Sequence, residues 1–250
     1  NKGLIYRGER IVTWCPRCST ALSDLEINHK NKDSYLYFIK YKLTNMNDFV
    51  TIATTRPETI LADTGVAVNP EDQRYQHLIG KQVNVPLTKR EVTIIADDIV
   101  GMEFGTGILK ITPGHDPIDF EIGQRHNLET INILDTKGLM NSNAPDYEGK
   151  DPQTVRTQIV EKLTDLEQIE KIIPYNHSVG HCSRCDDVVE PIVSKQWFIK
   201  MQPIANPAIQ AVKNKDIRII PNHFSKIYFN WMSNIKDWCI SRQLWWGHRI

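Results

Sequence analysis

The sequence predicts a mainly β fold with added helices, and it favours a barrel or a sandwich over a doubly wound sheet. Two β-rich segments, at 35–43 and 49–54, flank the turn Asn45-Met46-Asn47-Asp48 and predict a hairpin. Gly and Pro separate the short apolar runs that follow, which is typical of short strands joined by turns. These runs are at 66–68, 81–86, 92–96 and 108–112.

The other elements follow from local signals in chain order. Residues 4–14 alternate enough to predict a strand that leads to the first cysteines. Helices are predicted at 116–126 and 151–166, and the second has Asp151 as N-cap and Pro152 at its first helical position. After Pro174 we expect a strand at about 188–200, a helix at about 203–214, and an aromatic helix from about Phe224 to the end.

Composition excludes two classes of function. The chain has 30 basic and 30 acidic residues, and this zero net charge argues against a surface that binds nucleic acid without specificity. No segment reaches the roughly 18 apolar residues of a membrane span, and no signal peptide is recognisable, so we expect no membrane partner. The chain starts at Asn1 and stops at Ile250 within a patterned segment, which predicts a piece of a larger protein.

Four of the five cysteines form two C-x-x-C pairs that lie far apart in the sequence. They are Cys15-Pro16-Arg17-Cys18 and Cys182-Ser183-Arg184-Cys185. Two such turns can close a tetrahedral thiolate site, so we expect a structural Zn²⁺ that pins the two ends of a large insertion together. Four thiolates leave no open position for a substrate, which argues against a catalytic metal. Paired thiolates that form no disulfide also favour a reducing, cytoplasmic location.

The segment Thr54-Thr55-Arg56-Pro57-Glu58-Thr59 directly follows an apolar strand. Its hydroxyls, guanidinium and carboxylate can bind a polar ligand from several sides. The alternative is a helix N-terminus, with Thr54 or Thr55 as cap and Glu58 favouring the helix dipole.

A second polar constellation surrounds the strand at 108–112. Gly105-Thr106-Gly107 permits close backbone approach to a ligand, and Lys110 lies among apolar neighbours. Asp116 and Asp119 share a face of a helical first turn and can hold an ammonium group or orient a water. The alternative is that Asp116 only caps the helix and that His115 is a hydrogen-bonding structural residue instead of a base.

Together these residues resemble the editing insertion of class I valyl-tRNA synthetases over nearly the whole chain. The resemblance rests on Thr54–Thr59, Ala67-Val68-Asn69-Pro70-Glu71-Asp72, Phe104–Gly107 and His115-Asp116-x-x-Asp119. The tail Ile240-Ser241-Arg242-Gln243-Leu244-Trp245-Trp246-Gly247-His248-Arg249 resembles the return to the aminoacylation domain. Isoleucyl relatives typically have Pro-Trp-Thr, and leucyl relatives Pro-Asp-Thr, where this chain has Pro57-Glu58-Thr59.

The resemblance implies hydrolysis of mischarged threonyl-tRNA(Val), as part of an enzyme that ligates valine to tRNA(Val) with ATP. The implied catalytic residues are Asp119, Asp116, Lys110, Thr54 and Arg56, acting with a positioned water. The implied substrate-binding residues are Thr55, Thr59, Phe104, Gly105, Thr106, Gly107 and His115. Because the family's His-x-Gly-His and Lys-Met-Ser-Lys-Ser elements do not occur in this sequence, we expect ATP and Mg²⁺ to serve only the full-length enzyme.

The resemblance also implies an architecture and a set of partners. A distorted β-barrel editing domain surrounded by helices is expected at 34–173, with a zinc-ribbon-like stem at 1–33 and 174–202. Residues 203–250 would begin the return to the aminoacylation domain. The expected partners are the acylated 3′ end of tRNA(Val) and the rest of the same synthetase chain, in a monomeric protein.

Two alternatives stay open at this stage. The chain could be an isoleucyl editing domain that clears valyl-tRNA(Ile), which a comparison of the two mischarged tRNAs as substrates would decide. It could also be a non-catalytic module that positions tRNA, although Thr54, Arg56, Lys110 and Asp119 argue against a decayed site.

Overall fold

The fold is mainly β with four helices in the described residues, as the sequence predicts. The computed structural model describes residues 2–247, so His248 and Arg249 of the tail motif lie outside the described residues. The strands are β1 (Ile5–Cys15), β2 (Thr20–Leu22), β3 (Ile27–Lys42), β4 (Phe49–Thr54), β5 (Gly65–Val68), β6 (Gln82–Asn84), β7 (Glu91–Ala96), β8 (Ile108–Ile111), β9 (Ile169–Cys182), β10 (Glu190–Ile199) and β11 (Trp238–Cys239). The helices are α1 (Pro117–Arg125), α2 (Pro152–Asp165), α3 (Gln202–Lys213) and α4 (Phe224–Ser233).

The predicted hairpin is present, but its first strand is longer than predicted. β3 and β4 pair antiparallel from Tyr37 opposite Thr54 to Lys42 opposite Phe49. On its other side β3 pairs with β9 from Ile27 opposite Cys182 to Ile39 opposite Ile169, a strand that the sequence analysis did not predict. The polar first half of β3 is extended because β9 satisfies its backbone groups. This ladder runs without a break through both domain boundaries expected near 33 and 173.

Strand pairing gives three open sheets. Their orders are β11-β10-β1-β2, β4-β3-β9 and β6-β7-β5-β8. The second and third meet at a corner, where Leu43 bridges Val83, whereas β4 and β8 are neighbours without a ladder between them in residues 2–247. Within residues 2–247 the pairing therefore does not close the barrel that the resemblance implies, because no ladder joins the edge strands β4 and β8.

The main core lies between these two sheets. Ile39 and Tyr41 of β3 and Ile52 of β4 are fully buried there. Helix α2 covers this core with Val155, Ile159 and Leu163, each also fully buried. Their spacing of four residues puts the three side chains on one helix face. The edge strands β4 and β8 thus both pack on this shared core. The boundary between these two strands is called the seam below.

The helix ends follow their capping residues, with one correction. Asp151 caps α2 as predicted, and Asp116 caps α1, the role that the sequence analysis gave as the alternative for this residue. Both side chains accept bonds from backbone N–H groups of the first turn. Helix α4, predicted to continue to the chain end, stops at Ser233, because Asn234 takes the C-cap and its Nδ2 donates to the Asn230 carbonyl at 2.9 Å. Within residues 2–247, no helix has both the length and the apolar character of a membrane span.

Candidate active site and four-cysteine cluster

The Thr54–Thr59 segment forms a self-bonded turn at the end of β4. The Thr54 hydroxyl accepts from the Arg56 backbone N–H at 3.1 Å, and the Thr59 hydroxyl donates to the Arg56 carbonyl at 2.8 Å. Thr54 and Thr59 are buried, and Thr55 is half-buried. A 3₁₀ turn follows at Pro57–Ala62 with Arg56, not Thr54 or Thr55, at its N-cap position. The threonines therefore shape this turn instead of capping a helix.

The Arg56 guanidinium joins its own turn to two other parts of the chain. It lies 3.3 Å from Glu58 and 2.5 Å from Glu190 at the start of β10, and it donates to the His115 carbonyl at 3.4 Å. Glu58 is almost fully buried, and Arg156 of α2 donates two bonds of 2.8 Å to its carboxylate. Burial opposes the charge on Arg56, but the carboxylates of Glu190 and Glu58 outweigh it and raise its pKa. Arg56 is thus held in place from several sides.

The glycine segment before β8 has a conformation that requires glycine. Gly105 and Gly107 have φ values of +61° and +82°, in the left-handed region. A Cβ at Gly105 would also lie 2.9 Å from the Ala53 side chain of β4. The Tyr75 hydroxyl fixes this segment by donating to the Thr106 carbonyl at 2.8 Å. The turn therefore brings the start of β8 against β4.

Phe104 presents an aromatic ring beside this turn. Its side chain is 59% exposed, and its only described aromatic neighbour is Tyr175 of β9, with the ring edge contact at 6.3 Å between centroids. This exposed aromatic ring can stack on a planar ligand. Tyr175 in turn stacks on His177 at 5.9 Å, so the three rings form a short row along the edge of β9.

Lys110 of β8 is buried in an ion pair that the sequence analysis did not identify. Its ammonium lies 2.9 Å from Asp63 Oδ1 and also donates to the Thr112 hydroxyl. Asp63 is fully buried and accepts two further bonds, from the Tyr41 hydroxyl at 2.5 Å and from the Thr112 hydroxyl at 2.6 Å. The hydroxyl–carboxylate contact and burial together raise the pKa of Tyr41 well above its ordinary value, with burial the larger cause.

The two carboxylates of the first turn of α1 have different environments. Asp116 is exposed, and its Oδ1 accepts from the backbone N–H groups of Ile118 and Asp119 at 2.7 and 3.1 Å. Asp119 is buried, and its Oδ2 accepts from the Thr112 backbone N–H at 2.8 Å. Burial raises the pKa of Asp119 to about 7, with Lys110 opposing this shift and Asp116 adding to it. Asp119 therefore exchanges a proton near neutral pH.

His115 is a buried, neutral residue. Its Nε2 accepts from the Ile133 backbone N–H at 2.9 Å, and its Nδ1 has no partner among the described residues. Burial lowers its pKa well below 6.5, and the charges of Arg56 and Lys110 lower it further. Because Nε2 is an acceptor, the ring proton resides on Nδ1. His115 supports the loop between β8 and α1 through this bond.

The structure brings most of the predicted site residues to the seam between β4 and β8. Arg56 contacts the His115 carbonyl, and Thr112 links Lys110 to Asp119. Phe104 and Gly105 lie beside the same seam. The residues that hold this arrangement from a distance are not among the predicted site residues. These are Tyr41, Asp63, Arg156 and Glu190; only Asp63 carried a signal, as an acidic residue between the apolar segments at 60–62 and 65–68.

The four predicted metal ligands form one cluster. The sulfur atoms of Cys15, Cys18, Cys182 and Cys185 all lie within 4.8 Å of one another. The Cys15–Cys185 and Cys18–Cys182 Sγ distances are 3.4 and 4.0 Å. These are too long for disulfides of about 2.05 Å, and they bracket the roughly 3.8 Å between sulfurs that each bind a tetrahedral Zn²⁺ at about 2.3 Å. The cluster can therefore hold a metal ion, and the donor set fits zinc.

Comparison with known proteins gives one consistent family. Residues 1–250 match the family model described as tRNA synthetases class I (I, L, M and V). The chain is 55% identical over 249 residues to the valine–tRNA ligase of Clostridium perfringens, covering 100% of this chain and 28% of that protein. It is 53% identical to the valine–tRNA ligase of Thermotoga maritima, again over its full length and 29% of that protein. The chain thus spans less than a third of the relatives it matches.

Proposed function

Because the chain belongs to the class I tRNA synthetases and aligns along its whole length with valine–tRNA ligases, we propose that it is an editing domain that hydrolyses threonyl-tRNA(Val). The observation that carries this proposal is the buried carboxyl of Asp119 next to the Lys110 network, at a seam lined by threonines and an exposed aromatic ring. Hydrolysis of an aminoacyl ester needs such polar groups fixed before the substrate arrives.

The substrate supplies an α-ammonium group, an ester carbonyl and, for threonine, a hydroxyl that valine lacks. A purely apolar pocket separates these two amino acids weakly, and the valyl system is itself the standard example of this limit. A site that bonds the threonine hydroxyl rejects valine, because valine leaves buried polar groups unpaired. In this proposal Asp119 anchors the ammonium or the hydroxyl. Asp116, the N-cap of the same helix, adds negative charge to the site.

A positioned water is the nucleophile in the proposed reaction. With a pKa near 7, Asp119 is substantially ionised at neutral pH and can accept a hydrogen bond from a substrate group or from this water. The ribose hydroxyl next to the ester can help to orient the water. Lys110 and Arg56 supply positive charge toward the carbonyl oxygen, the ribose or a phosphate.

The remaining predicted residues bind the terminal adenosine in this proposal. Thr54, Thr55 and Thr59 bond to its polar groups or to the water, and Phe104 stacks on the adenine through its exposed ring face. Gly105, Thr106 and Gly107 allow the backbone to approach the ligand closely. His115 shapes the floor of the site through its bond to Ile133.

The proposal extends to the architecture. In this proposal the parts of the sheets β4-β3-β9 and β6-β7-β5-β8 that lie within 34–173, with their shared core, form the distorted, incompletely closed barrel of the editing domain. The zinc-ribbon-like stem comprises 1–33 and 174–202, with Zn²⁺ on the four cysteines in a structural role. Residues 203–250 lead back toward an aminoacylation domain.

The whole enzyme, in this proposal, is a monomeric cytoplasmic ligase that joins valine to tRNA(Val) with ATP and Mg²⁺. Those cofactors act outside this chain, and the chain receives the acylated 3′ end of the tRNA. The proposal draws its support from the valine–tRNA ligases with which the sequence aligns over its full length.

The deciding experiment is deacylation of threonyl-tRNA(Val) by the purified chain. We expect hydrolysis by the wild type, little hydrolysis of valyl-tRNA(Val), and a loss of about 100-fold or more in kcat/KM for Asp119→Ala. Valyl-tRNA(Ile) serves as the competing substrate, and preference for it would assign the isoleucyl reaction instead. Unchanged hydrolysis by Asp119→Ala would remove Asp119 from the mechanism. Absence of any hydrolysis would leave a module that only positions tRNA.

A further inference from the structure

Tyr41, Asp63, Lys110 and Thr112 form a buried polar network, of which the proposed mechanism uses only Lys110. Asp63, at the end of the turn that follows β4, is fully buried. Its two carboxylate oxygens bind different partners: Oδ2 accepts from the Tyr41 hydroxyl, and Oδ1 accepts from both Lys110 and Thr112. Each member of the network is therefore fixed by at least one other buried group.

Stability alone is a weak explanation for this network. Removing two charges from water costs several kcal/mol per ion, and a buried ion pair often stabilises a fold no more than apolar side chains of the same size would. The surrounding core is apolar, with Ile39, Ile52 and Val66 fully buried near the same strands. A lysine and an aspartate in such a layer require a reason beyond packing.

The network connects directly to the proposed site. The Thr112 hydroxyl binds both Lys110 and Asp63, and the backbone N–H of the same residue donates to Asp119 at 2.8 Å. Thr112 is 1% exposed, so its position is fixed by these bonds and by packing. Lys110 has three N–H donors, and Asp63 and Thr112 are its two described acceptors, which leaves one donor for a ligand.

We propose that Asp63 is a positioning residue, which aims the Lys110 ammonium at the substrate ester. This inference rests on the proposed function and assigns a residue within the same site. Asp63 itself touches no substrate because it is fully enclosed. Tyr41 acts one step further away, by holding the second oxygen of Asp63 and so fixing the plane of its carboxylate.

The test is a double-mutant cycle on hydrolysis of threonyl-tRNA(Val). The proteins are the wild-type chain, Asp63→Asn, Lys110→Met and the double variant, with kcat and KM measured for each. We expect Asp63→Asn to lower kcat about 100-fold with little change in KM, because a misplaced catalytic group has this cost. In the Lys110→Met background we expect Asp63→Asn to have almost no further effect, since it acts through Lys110.

Two further variants keep the test decisive. Tyr41→Phe removes one bond to Asp63 but keeps the ion pair, and we expect a smaller loss of kcat that also disappears in the Lys110→Met background. This cycle replaces the first if Asp63→Asn is not folded by circular dichroism. Asp97→Asn is the matched control, because Asp97 is another buried carboxylate with cationic partners, Arg125 and His126, away from Lys110. It should keep the wild-type kcat.

The outcomes separate the two proposals. If the wild type does not hydrolyse threonyl-tRNA(Val), the proposed function fails. If the wild type is active but Asp63→Asn has wild-type kcat, or loses the same factor with and without Lys110, the positioning role fails and the proposed function stands. If Lys110→Met is fully active, the positioning role fails as well.

Discussion

At the scale of single residues, Asp119 shows how burial changes the chemistry of an ordinary side chain. Its neighbour Asp116 has the same carboxyl group three positions earlier, yet Asp116 is exposed and caps the helix, whereas Asp119 is buried against Thr112. Burial disfavours the charged form and raises the pKa of Asp119 to about 7. The sequence predicted both as site residues, but the difference between them depends on which side of α1 faces the core.

Asp119→Asn should therefore stabilise the fold in a pH-dependent way. The folded pKa of about 7 exceeds the unfolded value of about 3.9, so this group stabilises the folded state at low pH and the benefit is lost as pH rises from about 4 to about 7. Asparagine keeps the acceptor for the Thr112 N–H. We expect the two proteins to have similar free energies of unfolding at pH 4, and the variant to be more stable by up to about 4 kcal/mol at pH 8. Urea unfolding at both pH values measures this, and a constant difference would contradict it.

At the scale of elements, the position of the 57–62 turn depends on α2. Arg156 of α2 donates two bonds to Glu58, which is 1% exposed, and Arg56 also donates to Oε1 of the same carboxylate. Burial raises the pKa of Glu58, but Arg156 and Arg56 outweigh it and lower the pKa overall. Two elements almost 100 residues apart in sequence, α2 and the turn, thus share one buried charge.

Arg156→Met should destabilise the fold by about 3 kcal/mol, because it leaves a buried carboxylate with one partner fewer. Lys236→Met is the matched control, since Lys236 pairs with Glu121 at the surface, where both side chains are largely exposed. For the control we expect a change below about 1 kcal/mol. Urea unfolding of both variants measures the difference. If both variants lose equally little free energy of unfolding, the buried Arg156–Glu58 pair does not hold the turn in place.

At the scale of the whole molecule, the cysteine cluster joins two sheets. Cys15 ends β1 in the first sheet, and Cys182 ends β9 in the second. The ladder between β3 and β9 extends from this cluster to the main core, with one register shift between Phe38 and Ile39. A metal ion on the four sulfurs would therefore connect the end of the long ladder to the β1-β2 hairpin.

We predict one Zn²⁺ per purified chain, measured by elemental mass spectrometry. Removal by a chelator should lower Tm by about 10 °C, because loss of a tightly bound ligand removes its linked stability. Cys182→Ser should give the metal-free behaviour, while Cys239→Ser, which changes the cysteine outside the cluster, should keep the metal. An unchanged Tm after chelation, or a chain without metal after purification in zinc-containing buffer, would contradict the prediction.

The sequence by itself determined many of the local elements and was enough to select candidate site residues. The β3–β4 hairpin, the short strands β5 to β8 and the caps of α1 and α2 follow from turn residues, apolar runs and capping residues that act within a few positions of one another. The cysteine pairs also predicted their own cluster, because tight turns preset two thiols each. Thr54, Arg56, Lys110 and Asp119 could be selected because polar residues next to apolar strands are conspicuous in the sequence.

Only the tertiary structure decided how these residues are held and how they ionise. Tyr41 meets Asp63, Arg156 meets Glu58, and Glu190 meets Arg56 across long separations in the chain. The long β9 strand and the open seam beside β4 likewise depend on which edges find partners. The physical reason is that local preferences act along the backbone, whereas burial, ion pairing and pKa shifts depend on groups that approach only after the chain has folded.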